Sequence, residues 1–110
     1  MELHQEATEA YLRAEAEARA VHDSIESRLD ARILAESSEE DASYARRLKQ
    51  ILAQSDTLWQ AYRDQSLDLF VVLYGSGTIG PTQQIGYKTE LTMNRKRDLD
   101  YFLDDLNMGR

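Results

Sequence analysis

The first part of the chain repeats small and apolar residues every three or four positions. The repeat consists of Leu3, Ala7, Ala10, Ala14, Ala18, Val21, Ile25 and Leu29. This spacing places all of them on one face of a helix. The face is narrow and rich in alanine, so a neighbouring helix can pack closely against it. We predict a first helix over residues 2–35.

A second apolar repeat follows a polar break at residues 37–41. Ser37 and Glu40 have the spacing of a capping box, and the acidic residues here suit the positive end of a helix dipole. We therefore predict a second helix over residues 39–74. Its predicted inward face is Tyr44, Leu48, Ile51, Leu52, Leu58, Trp59, Tyr62, Leu69, Phe70 and Leu73. Residues 69–74 alone also fit a short strand, because they are few and include a β-branched pair; we favour helix.

A glycine-rich turn separates this helix from the last one. No Gly or Pro precedes Gly75, and Pro81, the single proline of the chain, follows a few residues later. Gly75 suits the position just past a helix end, and Pro81 suits the first position of the next helix. We predict a third helix over residues 82–106. Its predicted apolar side is Ile85, Leu91, Leu99, Phe102, Leu103 and Leu106.

Length and composition agree with one helical domain. The chain has 110 residues, of which 42% are hydrophobic, close to the norm for a globular domain. Two separate domains of half this length would each lack an adequate core. We predict an all-α fold over residues 1–110: an elongated antiparallel three-helix bundle around Trp59, with the glycine-rich turn between helices two and three.

The formal charge of −7 disfavours nucleic acid and anionic membranes as partners, because both attract basic surfaces. Twelve acidic residues and four arginines lie within residues 1–45, so the N-terminal part carries the acidity. Two interpretations stay open. The acidic helix is either an ordinary solvated surface or a surface that steers a basic partner.

The compartment is left open by the sequence. The chain contains no cysteine, which fits the reducing cytosol and also an exported bundle that needs no disulfide. Residues 1–19 show no apolar core of a signal peptide. The longest apolar run, residues 69–74, is too short to span a bilayer.

Candidate chemistry is sparse, and we expect no enzyme, no metal and no cofactor. His4 and His22 would lie about 27 Å apart along one helix, too far to share a metal ion. The carboxylates lie mostly among Arg and Lys, where solvated pairs are the norm. The glycine segment lacks the Lys-Ser/Thr ending of a phosphate-binding loop. The sequence therefore predicts no catalytic residue.

One segment of the second helix is conspicuous. Trp59 and Tyr62 are three residues apart and face the same way, and Arg63 can lie across the indole from one turn further on. Either Trp59 is a core residue with a pairing arginine, or Arg63 anchors the glycine turn for a partner. We expect Arg63 to donate hydrogen bonds to bare carbonyls near the turn, from Gly75 to Pro81.

Three groups of residues make the chain resemble the LprI-like lysozyme-inhibitor family. They are Trp59-x-x-Tyr62-Arg63-Asp64, then Tyr74-Gly75-x-Gly77-Thr78-Ile79-x-Pro81, then Glu90-Leu91-Thr92-x-x-Arg95 with Leu99. The resemblance covers residues 8–105. It implies an all-α domain of small bacterial envelope proteins, exported or lipid-anchored, some of which inhibit lysozyme, and it implies that residues 69–74 are helical.

The chain departs from the family at two cysteines. Members usually carry one eight residues after the tryptophan and another six after the proline, where this chain has Leu67 and Tyr87. The resemblance implies that these two positions approach each other. An apolar contact would then replace a covalent link between helices two and three.

The resemblance also implies a partner, a basic peptidoglycan hydrolase of the lysozyme type from a host or a competing bacterium. The cleft of such an enzyme holds two carboxylates, so an inserting group should be neutral or cationic. Ser76, Thr78 and Lys88 are the candidate contacts. The alternative is an acidic envelope scaffold without a hydrolase partner, which would self-associate through the alanine-rich face of helix one. Monomer and homodimer are both compatible with the sequence.

Overall fold

A computed structural model describes residues 2–35, 38–74 and 80–108. They form three helices, α1 (Glu2–Ala35), α2 (Glu39–Tyr74) and α3 (Gly80–Asn107). No strand occurs within the described ranges. The all-α prediction is confirmed, and residues 69–74 continue α2 as a helix.

The helices form an elongated bundle in which α1 and α3 run parallel and α2 runs antiparallel to both. His4 Nδ1 lies 3.3 Å from Thr82 Oγ1 near one end of the bundle. Arg32 Nη2 donates to the Leu106 carbonyl, 3.4 Å away, near the other end. The molecule measures 59 × 25 × 17 Å. The predicted antiparallel three-helix bundle is therefore confirmed.

The start of α2 is capped by Ser38. Its Oγ accepts a hydrogen bond from the Asp41 backbone N–H at 3.3 Å, and Glu39 and Glu40 complete an acidic first turn. The expected cap, Ser37, lies outside the described residues. Because the helix begins at Glu39, the residue that precedes it is Ser38, which therefore occupies the capping position.

The apolar core lies between α1 and α3 and does not include Trp59, so the prediction that the helices pack around this residue is wrong. Ile25, Leu29 and Leu99 form the buried cluster, with 3% or less of each residue exposed. Val21, Leu48, Leu52, Leu103 and Leu106 pack around it. Ala14 and Ala18 are buried as well, as expected for a narrow face that lets a neighbour approach. Trp59 is only half-buried.

The face that α2 turns inward differs from the predicted one. Six of the residues predicted to point inward are exposed, namely Tyr44, Ile51, Leu58, Tyr62, Leu69 and Leu73. Small residues take their place at the start of the helix, where Ala42 and Ala45 are buried. Large apolar residues occupy two adjacent faces of α2, and the face that includes alanines can approach α1 and α3 more closely. Spacing alone does not distinguish these two faces.

The third helix is longer than predicted at both ends. It begins at Gly80, two residues before the predicted start, and ends at Asn107. Gly80 has a φ of 68°, a left-handed conformation that glycine adopts without strain. Pro81 follows in the first turn, where its missing N–H removes no helical hydrogen bond. Phe102, predicted on the apolar side of this helix, is 52% exposed.

The two described glycines should respond oppositely to alanine. Gly80→Ala should lower the free energy of unfolding by about 1–2 kcal/mol, because a Cβ disfavours the left-handed conformation. Gly86→Ala is the matched control: Gly86 lies within α3, and an added Cβ there meets nothing within 4 Å. It should raise stability by roughly 0.5–1 kcal/mol through helix propensity. Urea unfolding measures both, and equal shifts would contradict the assigned backbone conformation.

Cysteines introduced at positions 67 and 87 should form a disulfide. Phe70, one turn after Leu67, stacks on Tyr87 with ring centroids 4.8 Å apart and planes at 14°, so this part of α2 faces α3. Leu67→Cys combined with Tyr87→Cys should cross-link on oxidation within the monomer, visible as a mobility shift without reductant. In the control pair, Leu58→Cys with Tyr87→Cys, the cysteine on α2 lies about 13 Å nearer the start of the helix. This pair should not form a disulfide. Failure of the first pair in the folded protein would contradict the implied approach.

Candidate functional site

A polar cleft opens at the middle of the bundle, where all three helices contribute side chains. Its volume is about 160 Å³. It is lined by Glu15, Ala18, Arg19 and His22 of α1, Asp56, Trp59, Gln60 and Arg63 of α2, and Thr92, Arg95 and Leu99 of α3. We call this the polar cleft. Charged and aromatic side chains of all three helices converge there.

Trp59 lies between two guanidinium groups. The Arg63 guanidinium carbon is 4.9 Å from the indole centroid, and that of Arg95 is 5.9 Å away. Both distances fall within the range of cation–π attraction. The expected stacking of Arg63 on Trp59 is observed, and the structure adds Arg95 from α3. Trp59 and Arg63 belong to the first group of residues that carries the family resemblance, and Arg95 belongs to the third. These two groups therefore meet at the Trp59 indole.

Arg95 is buried with part of its hydrogen-bonding capacity unused. Only 7% of the residue is exposed, and Nη1 donates to Ser55 Oγ at 3.1 Å. Asp56 Oδ1 lies 3.9 Å from Nη2, beyond hydrogen-bond distance. Nε and Nη2 have no hydrogen-bond partner among the described residues. Burial lowers the pKa of Arg95, and the charges of Asp56 and Asp98 oppose that shift.

His22 is the second buried polar group of the cleft. It is 8% exposed, and neither ring nitrogen has a hydrogen-bond partner within the described ranges. Asp23 Oδ1 lies 3.7 Å from Nδ1, and the Asp23 side chain is 63% exposed. His22 is not among the site residues predicted from the sequence. The available signal was a histidine on the same helical face as Ala18 and Ile25, among residues that are otherwise apolar.

The groups in and beside the polar cleft are mostly hydrogen-bonding and aromatic. Beside the cleft, burial and a hydrogen bond to the lining residue Glu15 raise the pKa of Tyr11 to about 12. The Thr92 hydroxyl donates to the Lys88 carbonyl at 2.9 Å, which leaves it poorly placed to act as a nucleophile. No group of His, Asp and Glu residues in the described chain could hold a metal ion. The cleft instead offers donors and an aromatic surface to a polar group.

The predicted turn contacts are only partly described. Gly75, Ser76, Gly77 and Thr78 lie outside the described residues, so their predicted roles stay predictions. Lys88 lies two turns into α3, and its ammonium is 4.4 Å from the Tyr11 ring centroid. This cation–π contact directs Lys88 toward α1.

Arg63 lies too far along α2 to reach the helix end as expected. Tyr74 lies eleven positions further along the chain, about 16 Å of helix. Its Nε donates to Asp64 Oδ1 at 3.4 Å, and its guanidinium stacks on Trp59. The expected hydrogen bonds from Arg63 to the turn do not fit this position, and the described contacts place Arg63 at the polar cleft. Tyr62 is 59% exposed, so it does not share the inward position of Trp59.

Removal of the Arg63 side chain should lower the free energy of unfolding by about 1–2 kcal/mol, because the side chain is 15% exposed and covers the indole. Arg63→Ala should also shift the Trp59 emission, since the indole becomes more accessible to water. Arg97→Ala is the matched control: Arg97 is an exposed arginine of α3 and should change stability by less than about 0.5 kcal/mol. Equal effects of the two substitutions in urea unfolding would contradict this role for Arg63.

The Tyr11 phenol should titrate later than the other tyrosines. Its pKa of about 12 exceeds the usual 10, so above pH 10 the folded state holds a proton that the unfolded state releases. Stability from this group is therefore present below pH 10 and is lost between pH 10 and 12. Ultraviolet titration should show a late component that Tyr11→Phe removes. A titration of the variant that keeps this component would contradict the assignment.

The comparisons with known proteins agree with the resemblance. The family model described as lysozyme inhibitor LprI matches residues 1–99, which include α1, α2 and most of α3. No curated protein and no solved structure gives a significant match to the chain. None of the described helices is both long and apolar enough to cross a membrane. The match covers most of the chain, and it includes Trp59, Arg63 and Arg95 of the polar cleft; the chain belongs to the LprI lysozyme-inhibitor family.

Proposed function

We propose that this protein binds and inhibits a basic peptidoglycan hydrolase of the lysozyme type, from a host or a competing bacterium, and acts in the periplasm or envelope. The family match over residues 1–99 carries the proposal, because the family is described as a lysozyme inhibitor. In the second case the protein is an immunity protein. The polar cleft supports a binding protein, since its side chains offer donors and an aromatic surface and no nucleophile with a base.

The charge distribution supports a basic partner. Glu6, Glu9, Glu17 and Asp23 are exposed carboxylates along the first two-thirds of α1. A lysozyme-type enzyme commonly has a basic surface, so these carboxylates would raise the rate of encounter. Binding should weaken as salt rises, because exposed charges are screened.

The end of the bundle that carries the glycine turn is the proposed inserting element. Leu3, Leu73 and Tyr74 are exposed at this end, each at least 50% accessible, and they carry no charge. Ser76 and Thr78 follow directly in sequence, and Lys88 lies two turns into α3. A neutral or cationic element avoids repulsion from the two carboxylates of a hydrolase cleft. We therefore keep Ser76, Thr78 and Lys88 as the proposed contacts.

The alternative, a scaffold that associates through the alanine-rich face of helix one, loses its surface in this fold. Ala14 and Ala18 are buried within the bundle, so α3 and α2 already occupy the narrow face. A scaffold would need a different surface. The inhibitor proposal needs none of these alanines to be accessible.

A cell-wall turbidity assay with a basic lysozyme tests the proposed function. The purified protein should slow lysis at a several-fold molar excess, and binding should weaken at higher salt. If no muralytic enzyme is slowed under these conditions, inhibition should be abandoned as the function.

New carboxylates at the turn test the proposed contacts. Ser76→Glu combined with Thr78→Glu should weaken inhibition about tenfold or more, because the new charges would face the carboxylates of the hydrolase cleft. Ser27→Glu is the matched control, since Ser27 is an exposed serine in the half of α1 remote from this end. Equal weakening by the control would show that general acidity, and not the turn, determines binding.

A further inference from the structure

The second helix carries a row of residues separated alternately by four and three positions. The row is Tyr44, Leu48, Ile51, Ser55, Leu58, Tyr62, Gln65, Leu69 and Val72. Steps of four and three are the heptad spacing of a coiled-coil seam. Over residues 44–72 the row spans about 42 Å. We call it the α2 seam.

Most of the α2 seam is left uncovered by the rest of the chain; the exceptions are Leu48, which packs against the core, and Ser55, which accepts a hydrogen bond from Arg95. Leu58 is 70% exposed, Leu69 68% and Val72 81%. Near the start of α2 the seam borders an apolar groove of about 440 Å³, which Leu29 of α1 and Phe102 of α3 also line. An exposed helix face with this many large apolar side chains is typical of an interaction site. Its length and heptad spacing fit another helix.

We propose that a second copy of this chain covers the α2 seam, with the two α2 helices antiparallel about a two-fold axis. In an antiparallel pair, heptad positions a and d lie opposite each other. The resulting layers place Leu69 opposite the partner's Tyr44, Tyr62 opposite the partner's Ile51, Ser55 opposite the partner's Leu58 and Leu48 opposite the partner's Gln65. Two-fold symmetry repeats each layer, and each of these four layers contains at least one large apolar residue.

Charge complementarity selects this arrangement. Arg47 and Asp68 flank the seam at equivalent heptad positions, and the antiparallel register that gives these layers places Arg47 opposite the partner's Asp68, twice by symmetry. Both residues are exposed, and neither has an ion pair within the described chain. In a parallel pair, Arg47 would instead flank the partner's Leu52, with no opposite charge.

The neighbouring basic residues of α2 are already paired within the chain. Arg46 forms an ion pair with Glu39, and Lys49 Nζ lies 2.7 Å from Asp30 Oδ1. Arg47 is therefore the basic side chain at the start of α2 that remains for a partner. This dimer would bury the α2 seam and form two ion pairs between Arg47 and the partner's Asp68. It would not use the proposed hydrolase contacts or the glycine turn.

Light scattering coupled to size exclusion, over a range of concentrations, tests the association. The protein should be a dimer that dissociates on dilution. Leu58→Glu should give a monomer with unchanged helical circular dichroism, because the side chain is exposed in the bundle. A native protein that stays monomeric at every concentration up to its solubility limit would overturn the proposal.

A charge exchange tests the antiparallel register. Arg47→Asp alone and Asp68→Arg alone should each weaken dimerisation about tenfold, because each variant places two like-charge pairs at the interface. The combined variant restores opposite charges and should regain native dimerisation. Arg97→Asp, on the exposed side of α3, is the control and should leave the dimer unchanged. If both single variants dimerise more weakly and the combined variant does not regain native dimerisation, the proposed register is overturned.

Discussion

Close approach between α1 and α3 is the constraint from which the rest of the structure follows. The alanines of α1 bring the two helices together along most of their length, and Ile25, Leu29 and Leu99 close the core at one end. In a bundle this thin, most large side chains cannot be buried, since three helices enclose only one narrow interior. Stability therefore depends on a short row of small and aliphatic contacts.

The position of α2 is a consequence of that pairing. With α1 and α3 already in contact, α2 lies against their shared edge and buries Ala42 and Ala45 at its start. Further along, its inward side carries Asp56, Trp59 and Arg63, which are polar or bulky, and the helices leave the polar cleft between them. The same placement leaves a second apolar face of α2 in contact with solvent. The polar cleft and the exposed apolar face of α2 therefore both result from the position of α2 against α1 and α3.

Helix bounds could be predicted from the sequence because they depend on local chemistry. The Ser-rich break and the glycine turn end helices whatever the tertiary arrangement, so α1 and α2 begin and end where the pattern places them. The inward face of α2 could not be predicted, because Tyr62 and Trp59 differ by less than a quarter turn and both are apolar. Only the close packing of α1 and α3 decides which of them is covered.

The residues of the polar cleft, like the inward face of α2, could be predicted from the sequence only where they depend on a single helix. Trp59 and Arg63 are one turn apart, so their stacking follows from the helix alone, whereas His22 and Arg95 join them only through the packing of three helices. Because Trp59 is the single tryptophan of the chain, the polar cleft contains its own optical reporter. Any event that fills the cleft, or moves α3 relative to α2, changes the charge around that one indole. Conformation at the centre of the molecule is therefore accessible to emission spectroscopy without any label.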